Sequence, residues 1–399
     1  MAAAGQLAGK LPAPRAARVR ALRDPADGAL LDRALVLVFP GPGTATGEDL
    51  VELHLHGGRA VVAAVEAALA VQPGLRRAEP GEFTRRALIN GRIDLAEAEG
   101  LGDLLSAETE LQRRAALAMA DGTLSKQIAG WRADLLTLSA RIEAALDFSD
   151  EADVSPVLLD GVRAAASAVR VEIAATLAVP AVERLRDGIR VVLAGPPNSG
   201  KSTLLNALVR REAAIVSPVA GTTRDRIEVP VSRAGVPYVL TDTAGLRDTT
   251  ADPIEAIGID RAGQAMAAAD LVLWLGDEPP PVPALWLHAR ADLPERAGFP
   301  AGPTLAVAAQ DDASIEALWA RIEASVAGLI PAPGDVALNR RQREHCREAI
   351  AALDAMAVED ELLVADALRR ANVALARITG DIGVEAMLDA LFARFCIGK

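Results

Sequence analysis

One stretch of the chain, residues 189–208, restricts its possible folds more than any other. It reads IRVVLAGPPNSGKSTLLNAL, an apolar run that predicts a buried strand, followed by a glycine-rich turn and the apolar spacing of a helix. Gly195 to Ser202 spell G-x-x-x-x-G-K-S, the sequence of a phosphate-binding loop. The glycines let backbone N–H groups turn toward phosphate oxygens, and the helix start adds positive potential. A chance glycine-rich turn is the alternative, which the flanking strand and helix disfavour.

The residue types in this loop predict individual contacts. Lys201 would reach the β- and γ-phosphates of a nucleotide, and the Ser202 hydroxyl would bind Mg²⁺. We expect these and their neighbours to form the phosphate site: Asn198, Ser199, Gly200, Lys201, Ser202 and Thr203.

Two further motifs indicate a GTPase. Residues 221–225 read GTTRD, and a second predicted strand ends in Asp242-Thr243-Ala244-Gly245. An aspartate at a strand end can hold Mg²⁺ through water, and an upstream threonine such as Thr223 can close over the metal and the γ-phosphate. The three motifs in this order are far more specific than DTAG alone.

Composition limits the class of protein. A chain of 399 residues, 51% hydrophobic and 24% charged, suggests two or three domains with sizeable cores. Its formal charge of -12 argues against broad nonspecific nucleic-acid binding, although a local basic face could still hold one folded RNA. Two distant cysteines, Cys346 and Cys396, favour a reducing cytoplasm. Uncharged apolar runs of about 18 residues do not occur, so we expect no membrane span.

The order of predicted elements suggests a multidomain α/β plus all-α protein. A small α+β segment comes first, with strands at 34–39 and 50–55 and a helix at 59–71. Next, a parallel sheet with helices on both faces is inserted into a helical domain. The predicted bounds are 1–90 for the α+β domain, 91–187 and 329–399 for the helical domain, and 188–328 for the GTPase domain.

Two polar groups have open interpretations. His54 and His56 alternate along a predicted strand and would share a face, but a metal site would need a third ligand, and packed or surface histidines are commoner. A basic helix start would suit RNA phosphate, although a solvated, ion-paired face is the commoner meaning; it contains Arg340, Arg341, Arg343 and Arg347.

These motifs resemble the MnmE (TrmE) family of tRNA modification GTPases over almost the whole chain. The matching pieces are TGED with the following V-E-L, PGEFTRRALINGRIDLAEAE, GPPNSGKS, GTTRD, DTAGLR and the closing FCIGK. The last is highly specific, because a generic GTPase has no reason to end that way. The resemblance implies an N-terminal folate-binding and dimerisation domain, a split helical domain and an inserted G domain.

The resemblance also implies an activity. The chain would be a potassium-dependent GTP hydrolase, cytoplasmic and homodimeric, that forms a heterotetramer with an FAD-dependent MnmG-type partner. Together they would add an aminomethyl or carboxymethylaminomethyl group to carbon 5 of the wobble uridine of certain tRNAs. A tetrahydrofolate derivative, 5-formyl or 5,10-methylene, would supply the one-carbon unit.

The potassium site is implied by matching positions. Asn198 resembles the family's potassium-ligating asparagine, although loop capping is the alternative for this residue. A K⁺ against the phosphates would supply charge where an arginine finger otherwise would. Further ligands would be Ser217 and Val219 through carbonyls and Thr222 through its own oxygen, while Thr223 would reach Mg²⁺. These belong to a nucleotide-contacting segment: Ser217, Pro218, Val219, Ala220, Gly221, Thr222 and Thr223.

Glu255 is the implied water-orienting residue. The catalytic glutamine of Ras-like proteins is absent after DTAG, and the family instead uses a glutamate before I-G-I, here residues 257–259. A carboxylate can orient the attacking water, through a second water if needed. An exposed acid at a helix start is the alternative, with Asp248 and Asp252 as nearby competitors.

The folate site is implied by Glu52, Arg92 and Lys399, which match folate-contacting positions. Cys396 is a candidate nucleophile toward the uridine or the one-carbon unit; packing beside the folate pocket is an equal alternative. The family's first strand and loop, A-T-P-x-G-x-G, have no counterpart here. We therefore expect an exposed sheet edge and an impaired pocket.

The guanine-reading motif departs from the family's N-K-x-D. The chain reads Ala289-Arg290-Ala291-Asp292, and the later S-A-K-like turn is Ala308-Ala309-Gln310. Asp292 can still accept from the N1 and N2 groups of guanine, whereas Ala289 cannot make the hydrogen bonds of asparagine. We expect a weakened affinity for GTP, with GTP still preferred over ATP.

Two other functions stay open: a related ribosome-assembly GTPase, which would lack FCIGK, and a degenerate nonenzymatic scaffold.

Overall fold

A computed structural model describes residues 1–147, 156–210, 213–214, 228–243, 262–296, 298, 301–356, 360–382 and 391. These residues form two compact units. One contains Met1–Gly102 and the described residues from Ala376 onward, and the other is Asp103–Leu375.

The first unit is built on an antiparallel sheet of β1 (Arg18–Arg23), β2 (Leu30–Phe39) and β3 (Leu50–His54), in that spatial order. Alternate residues, including Leu22, Ala34 and Val36, are buried against two helices, because successive side chains of a strand point to opposite faces. Those helices are α1 (Ala2–Ala8) and α2 (Arg59–Ala70), and α3 (Glu82–Ile89) and α4 (Leu95–Leu105) follow them.

The strand predicted at 50–55 ends one residue earlier than expected. His54 is the last residue of β3, and His56 lies beyond it. The His56 ring Nδ1 is 2.8 Å from Asp32 Oδ1, and Asp32 Oδ2 accepts the His56 backbone N–H. The expectation that the two histidines share one strand is therefore wrong, because this carboxylate holds the second one outside the strand.

The helical part of the second unit is formed by residues that precede the sheet in sequence and by residues that follow it. It comprises α5 (Glu110–Ala120), α6 (Thr123–Asp147), α7 (Pro156–Ala178), α8 (Val182–Asp187), α12 (Arg340–Asp354) and α13 (Glu361–Thr379) as far as Leu375. Helix α7 packs against α6 and against α12. Its buried residues recur at spacings of three and four, which gives one apolar stripe: Leu159, Val162, Ala166, Val169 and Ile173.

One helical stretch, Leu159–Asp187, is long and apolar enough to cross a membrane by length and composition alone. The core helix of a globular protein meets the same criteria. Much of this stretch is α7, whose apolar stripe is buried against other helices and whose Arg170 forms an ion pair with Asp354 of α12. One such helix is weak evidence for a membrane span.

The rest of the second unit is a sheet of seven described strands in the order β10-β9-β8-β4-β7-β6-β5. The five from β10 to β7 are parallel, as predicted, and β6 and β5 add an antiparallel edge. Helices α9 (Lys201–Arg210) and α11 (Asp312–Val326) share one core with the sheet, and a helix at 262–267 is α10. The strands are β4 (Ile189–Ala194), β5 (Ala213–Ala214), β6 (Glu228–Arg233), β7 (Val236–Asp242), β8 (Leu271–Trp274), β9 (Leu285–Ala289) and β10 (Leu305–Val307).

The connection between β8 and β9 contains no helix, and all of its residues, 275–284, are described. Parallel neighbours usually need a crossover of a dozen or more residues, most often a helix. Here Trp274 Nε1 donates to the Glu278 carbonyl and Trp286 Nε1 donates to the Gly276 carbonyl, each at 2.8 Å. The two indoles thus fasten the short connection to the sheet.

The six-residue helix α8 joins the helices to the sheet and is bonded at both ends. At its carboxyl end, Gln112 Nε2 of α5 donates to the carbonyls of Leu185 at 3.0 Å and Arg186 at 3.2 Å. At its amino end, Glu183 Oε1 accepts the backbone N–H of Arg340 at 2.5 Å, in the first turn of α12. Helical segments from before and after the sheet therefore both hold α8.

Candidate functional site

The phosphate-binding loop lies at the carboxyl end of β4 and leads directly into α9. Asn198 has a φ of 60° and Gly200 a φ of 96°, both in the left-handed region. Asparagine and glycine tolerate this region best, which accounts for these residue types in so tight a loop. Lys201 is 5% exposed, and its Nζ donates to the carbonyls of Gly195 at 3.1 Å and Pro196 at 2.8 Å. Its ammonium is thus held at the first half of the loop.

The side-chain oxygens of Ser202 and Asp242 lie together. Ser202 Oγ donates to Asp242 Oδ2 at 2.5 Å, although the two residues lie on different elements, α9 and β7. Asp242 is fully buried and pairs in register with Leu193 of β4, whose carbonyl accepts from Thr243 Oγ1 at 2.9 Å. A hydroxyl and a carboxylate at this spacing are the hard oxygen donors that Mg²⁺ prefers, so the residues present fit the metal.

A cavity of about 490 Å³ extends from this loop to residues 289–292, the segment predicted to read guanine. Small-molecule pockets commonly have ~300–1,000 Å³, so a nucleotide is of suitable size. The cavity brings together residues that sequence predicted from separate motifs, among them Asn198, Lys201, Ser202, Ala289, Asp292 and Gln310.

Arg290 connects the two ends of this cavity. Its φ is 59°, and its Nη1 donates to the Asn198 carbonyl at 3.3 Å. A Cβ placed on Gly200 would lie 3.4 Å from Arg290 Cγ, so the arginine stem passes close over the phosphate loop. Sequence reasoning named Arg290 only as part of a changed motif and missed this contact; its position as the second residue of that motif is the available signal.

The turn after β10, residues 308–310, is also held by a hydrogen bond to a residue of α11 that is not part of its motif. Ser314 Oγ of α11 accepts the backbone N–H of Ala308 at 2.9 Å, and Asp311 caps the same helix by accepting from Ala313 N–H. Nothing in the local motif pointed to Ser314. The altered S-A-K-like turn, Ala308-Ala309-Gln310, is thereby held by the helix that follows it.

Two predicted folate residues lie in the first unit. Glu52 is exposed on β3. Arg92 is exposed, and its Cγ lies 3.3 Å from the place of a Cβ on Gly47, which has a φ of 78°. Asn90 Nδ2 donates to the Thr46 carbonyl at 2.8 Å, so the TGED loop packs on the turn that carries Arg92.

Several predicted residues lie outside the described part of the chain and stay predictions: Ser217, Pro218, Val219, Ala220, Gly221, Thr222, Thr223, Ala244, Gly245, Glu255, Cys396 and Lys399. The other cysteine, Cys346, is buried in α12, and burial raises its pKa to about 12, which keeps the thiol protonated at neutral pH. Within the described ranges, no three His, Cys, Asp or Glu residues are grouped as metal ligands.

The basic start of α12 is not a free cationic surface throughout. Arg343 donates through Nη1 to the Val179 carbonyl and through Nη2 to the Leu177 carbonyl, each at 2.8 Å. It therefore satisfies carbonyls at and just beyond the carboxyl end of α7, where helix C-termini attract cations. The Arg343 guanidinium is therefore engaged inside the helical part, and an RNA contact by this helix start stays a prediction.

Comparisons with known proteins cover nearly the whole chain. The family described as the MnmE helical domain matches residues 95–396, and the family described as the GTP-binding protein TrmE N-terminus matches residues 2–92. A tRNA modification GTPase MnmE of Rhizorhabdus wittichii is 57% identical over 391 residues, 97% of this chain and 88% of that protein. The protein of that name from Novosphingobium aromaticivorans is 54% identical over 412 residues, 100% of this chain and 94% of that protein.

Among solved structures, the chain is similar to the G domain of the T. maritima FeoB iron transporter. The TM-score is 0.25 and the identity 22%, and the alignment covers 35% of this chain and 98% of that domain.

Proposed function

The chain belongs to the MnmE (TrmE) family of tRNA modification GTPases, and on that premise we propose that it hydrolyses GTP to drive modification of wobble uridine in tRNA. The product would carry an aminomethyl or carboxymethylaminomethyl group on carbon 5. The observation that carries this proposal is the single cavity bordered by Lys201, Ser202 and Asp292. A ribosome-assembly GTPase would not share the match over residues 2–92.

The described residues support nucleotide binding in this cavity. Lys201 would exchange its loop carbonyls for phosphate oxygens, and Asp292 would accept from the guanine N1 and N2 groups. Ser202 and Asp242 would hold Mg²⁺, which supplies positive charge against the phosphates when bound. Arg290 keeps the base-reading segment against the phosphate loop through the Asn198 carbonyl. Asn198 is exposed, which suits the role of its side-chain oxygen as a K⁺ ligand.

The remaining roles rest on the family match. Glu255 would orient the attacking water, and residues 217–223 would complete the K⁺ and Mg²⁺ sites. Glu52, Arg92 and Lys399 would hold a tetrahydrofolate derivative, and Cys396 would act on the uridine or the one-carbon unit. The protein would work in the cytoplasm as a homodimer, with tRNA and an FAD-dependent MnmG-type partner.

The test measures GTP turnover in K⁺ and in Na⁺, together with mass spectrometry of wobble uridines in cells with and without the protein. Potassium-dependent turnover and loss of the modification without the protein are expected. Glu255→Ala should abolish hydrolysis while nucleotide binding persists, and retained turnover would remove Glu255 from its role. Absence of turnover in both salts would favour the nonenzymatic scaffold.

A further inference from the structure

The edge of the first sheet carries an unusual group of cations. Strand β1 has a partner on one side only in the described sheet, and cations lie on it and beside it. We call this group the arginine edge: Lys10, Arg18, Arg20, Arg23 and Arg33. All are exposed except Arg20, which is partly buried.

No member of the arginine edge forms an ion pair with a described residue. Arg20 Nε donates to the Lys10 carbonyl at 2.9 Å, and Arg23 Nη1 donates to the Gly28 carbonyl at 2.9 Å. Other exposed arginines do form ion pairs, as Arg113 does with Glu110 and Arg369 with Asp366. The charge of the arginine edge is therefore not neutralised within the described fold.

The nearby carboxylates are occupied by other donors. Asp24 accepts from the Ala26 N–H at 2.9 Å, and Asp27 accepts from the Ala29 N–H at 2.8 Å, both within the turn between β1 and β2. Asp32 binds His56, and the pKa of this carboxyl is lowered chiefly by the hydrogen bond from the His56 backbone N–H. These acids stabilise the turn and a loop, and none of them forms an ion pair with the arginine edge. The arginines are therefore available to bind an external anion.

The geometry favours an extended polyanion. Arg18 and Arg20 are two residues apart, about 6.6 Å along a strand, and antiparallel pairing places Arg33 opposite Ala21, between Arg20 and Leu22 in sequence. Cations thus flank the strand on both faces. Alternate backbone N–H groups of an edge strand also point outward, and such groups commonly bind phosphate oxygens.

We propose that the arginine edge binds phosphates of the tRNA substrate. The proposal rests on the proposed function, which makes tRNA the relevant polyanion, and on charge complementarity in a chain whose formal net charge is -12. A second copy of the chain fits this edge poorly, since two-fold pairing of identical strands would bring the same arginines together.

The test is the salt dependence of binding between the full chain and a labelled tRNA transcript with unmodified wobble uridine. The variant Arg18→Gln, Arg23→Gln, Arg33→Gln removes three exposed charges. Its affinity should fall at least about tenfold at ~0.1 M salt, and the slope of log K against log salt should decrease in magnitude by about 2 to 3, since each phosphate contact contributes ~0.7–0.9. The lysine counterparts at the same three positions keep the charges and should retain the slope.

The matched control is Arg113→Gln, Arg114→Gln, Arg369→Gln, which changes the net charge equally at arginines that are already ion-paired. It should alter affinity less than twofold. Equal slopes of log K against log salt for the two glutamine variants would overturn the proposal. Loss of dimerisation in the arginine-edge variant with unchanged tRNA affinity would overturn it as well. Unaltered protein that binds no tRNA would overturn the proposed function as well, whereas a failure of the variants alone leaves that function standing. Far-ultraviolet circular dichroism and a thermal unfolding midpoint equal to that of the unaltered protein confirm that the variants are folded, since the three altered arginines lie in the first unit and the nucleotide cavity in the second.

Discussion

Ser202 Oγ lies 2.5 Å from Asp242 Oδ2, so one hydrogen bond joins the first turn of α9 to the end of β7, between two side chains that we propose hold Mg²⁺. Ser202→Ala removes a ligand and leaves a buried carboxylate with fewer partners. We expect GTP affinity in Mg²⁺ to fall by about 1.5–3 kcal/mol, as for a lost bond to a charged group, and to change little in EDTA. Titration with a fluorescent GTP analogue measures both. Ser325→Ala, which removes a hydroxyl bonded to the Arg321 carbonyl in α11, is the control.

Asp292 should decide which base is bound. Asp292→Asn replaces an acceptor by a group that can donate, which matches the additional carbonyl of xanthine and opposes the N2 group of guanine. The preference should therefore move from GTP toward XTP by about 10- to 100-fold, the cost of one or two mismatched hydrogen bonds. Competition between the two nucleotides measures it. An unchanged preference, equal to that of the exposed control Asp335→Asn, would exclude Asp292 from base recognition.

How much of the fold and of the candidate site the sequence predicts depends on how far apart the contacting residues lie in the chain. The loop with Lys201 and Ser202 follows a local motif whose residue types are dictated by phosphate geometry, and the parallel sheet follows from alternating strand and helix patterns. The contact between Arg290 and Asn198 joins residues 92 positions apart, and no local pattern encodes such a pair. The use of Arg343 to satisfy the end of α7 was missed for the same reason, because it depends on tertiary packing.

Gln112 should contribute strongly to the stability of the second unit. It is 9% exposed; its Oε1 accepts the backbone N–H groups of Glu108 and Thr109, and its Nε2 donates to the end of α8. Gln112→Ala leaves these groups without their partner, at a cost of about 1–3 kcal/mol for a buried unsatisfied group. Urea unfolding measures the loss. The exposed control Gln264→Ala should change the free energy of unfolding by less than about 0.5 kcal/mol.

Glu82 should make the stability of the first unit depend on acid pH. Hydrogen bonds from Arg76, then from the Glu79 backbone N–H, lower its pKa from 4.5 to about 2. A carboxyl with a lowered folded-state pKa stabilises the fold above its unfolded-state value and loses that contribution as pH falls from about 4.5 to about 2.

The comparison is the thermal unfolding midpoint of the unaltered protein and of Glu82→Gln between pH 7 and pH 2. The two midpoints should differ by a constant amount above about pH 5 and converge toward pH 2, because protonated Glu82 and glutamine carry the same charge. Parallel curves over the whole range would show that this carboxylate does not contribute to acid sensitivity.

The bonds at both ends of α8 have a practical consequence for dissecting the protein. A recombinant fragment that began at Ile189 would discard the helix, whereas one that began at Val182 would retain it with its Leu185 and Arg186 carbonyls uncapped by Gln112. Limited proteolysis aimed at releasing the nucleotide-binding portion breaks a second contact of α8. Glu183 accepts the backbone N–H of Arg340, a residue that follows the sheet in sequence. A fragment that keeps α8 therefore needs polar substitutes for Gln112 and for the Arg340 N–H at these two junctions.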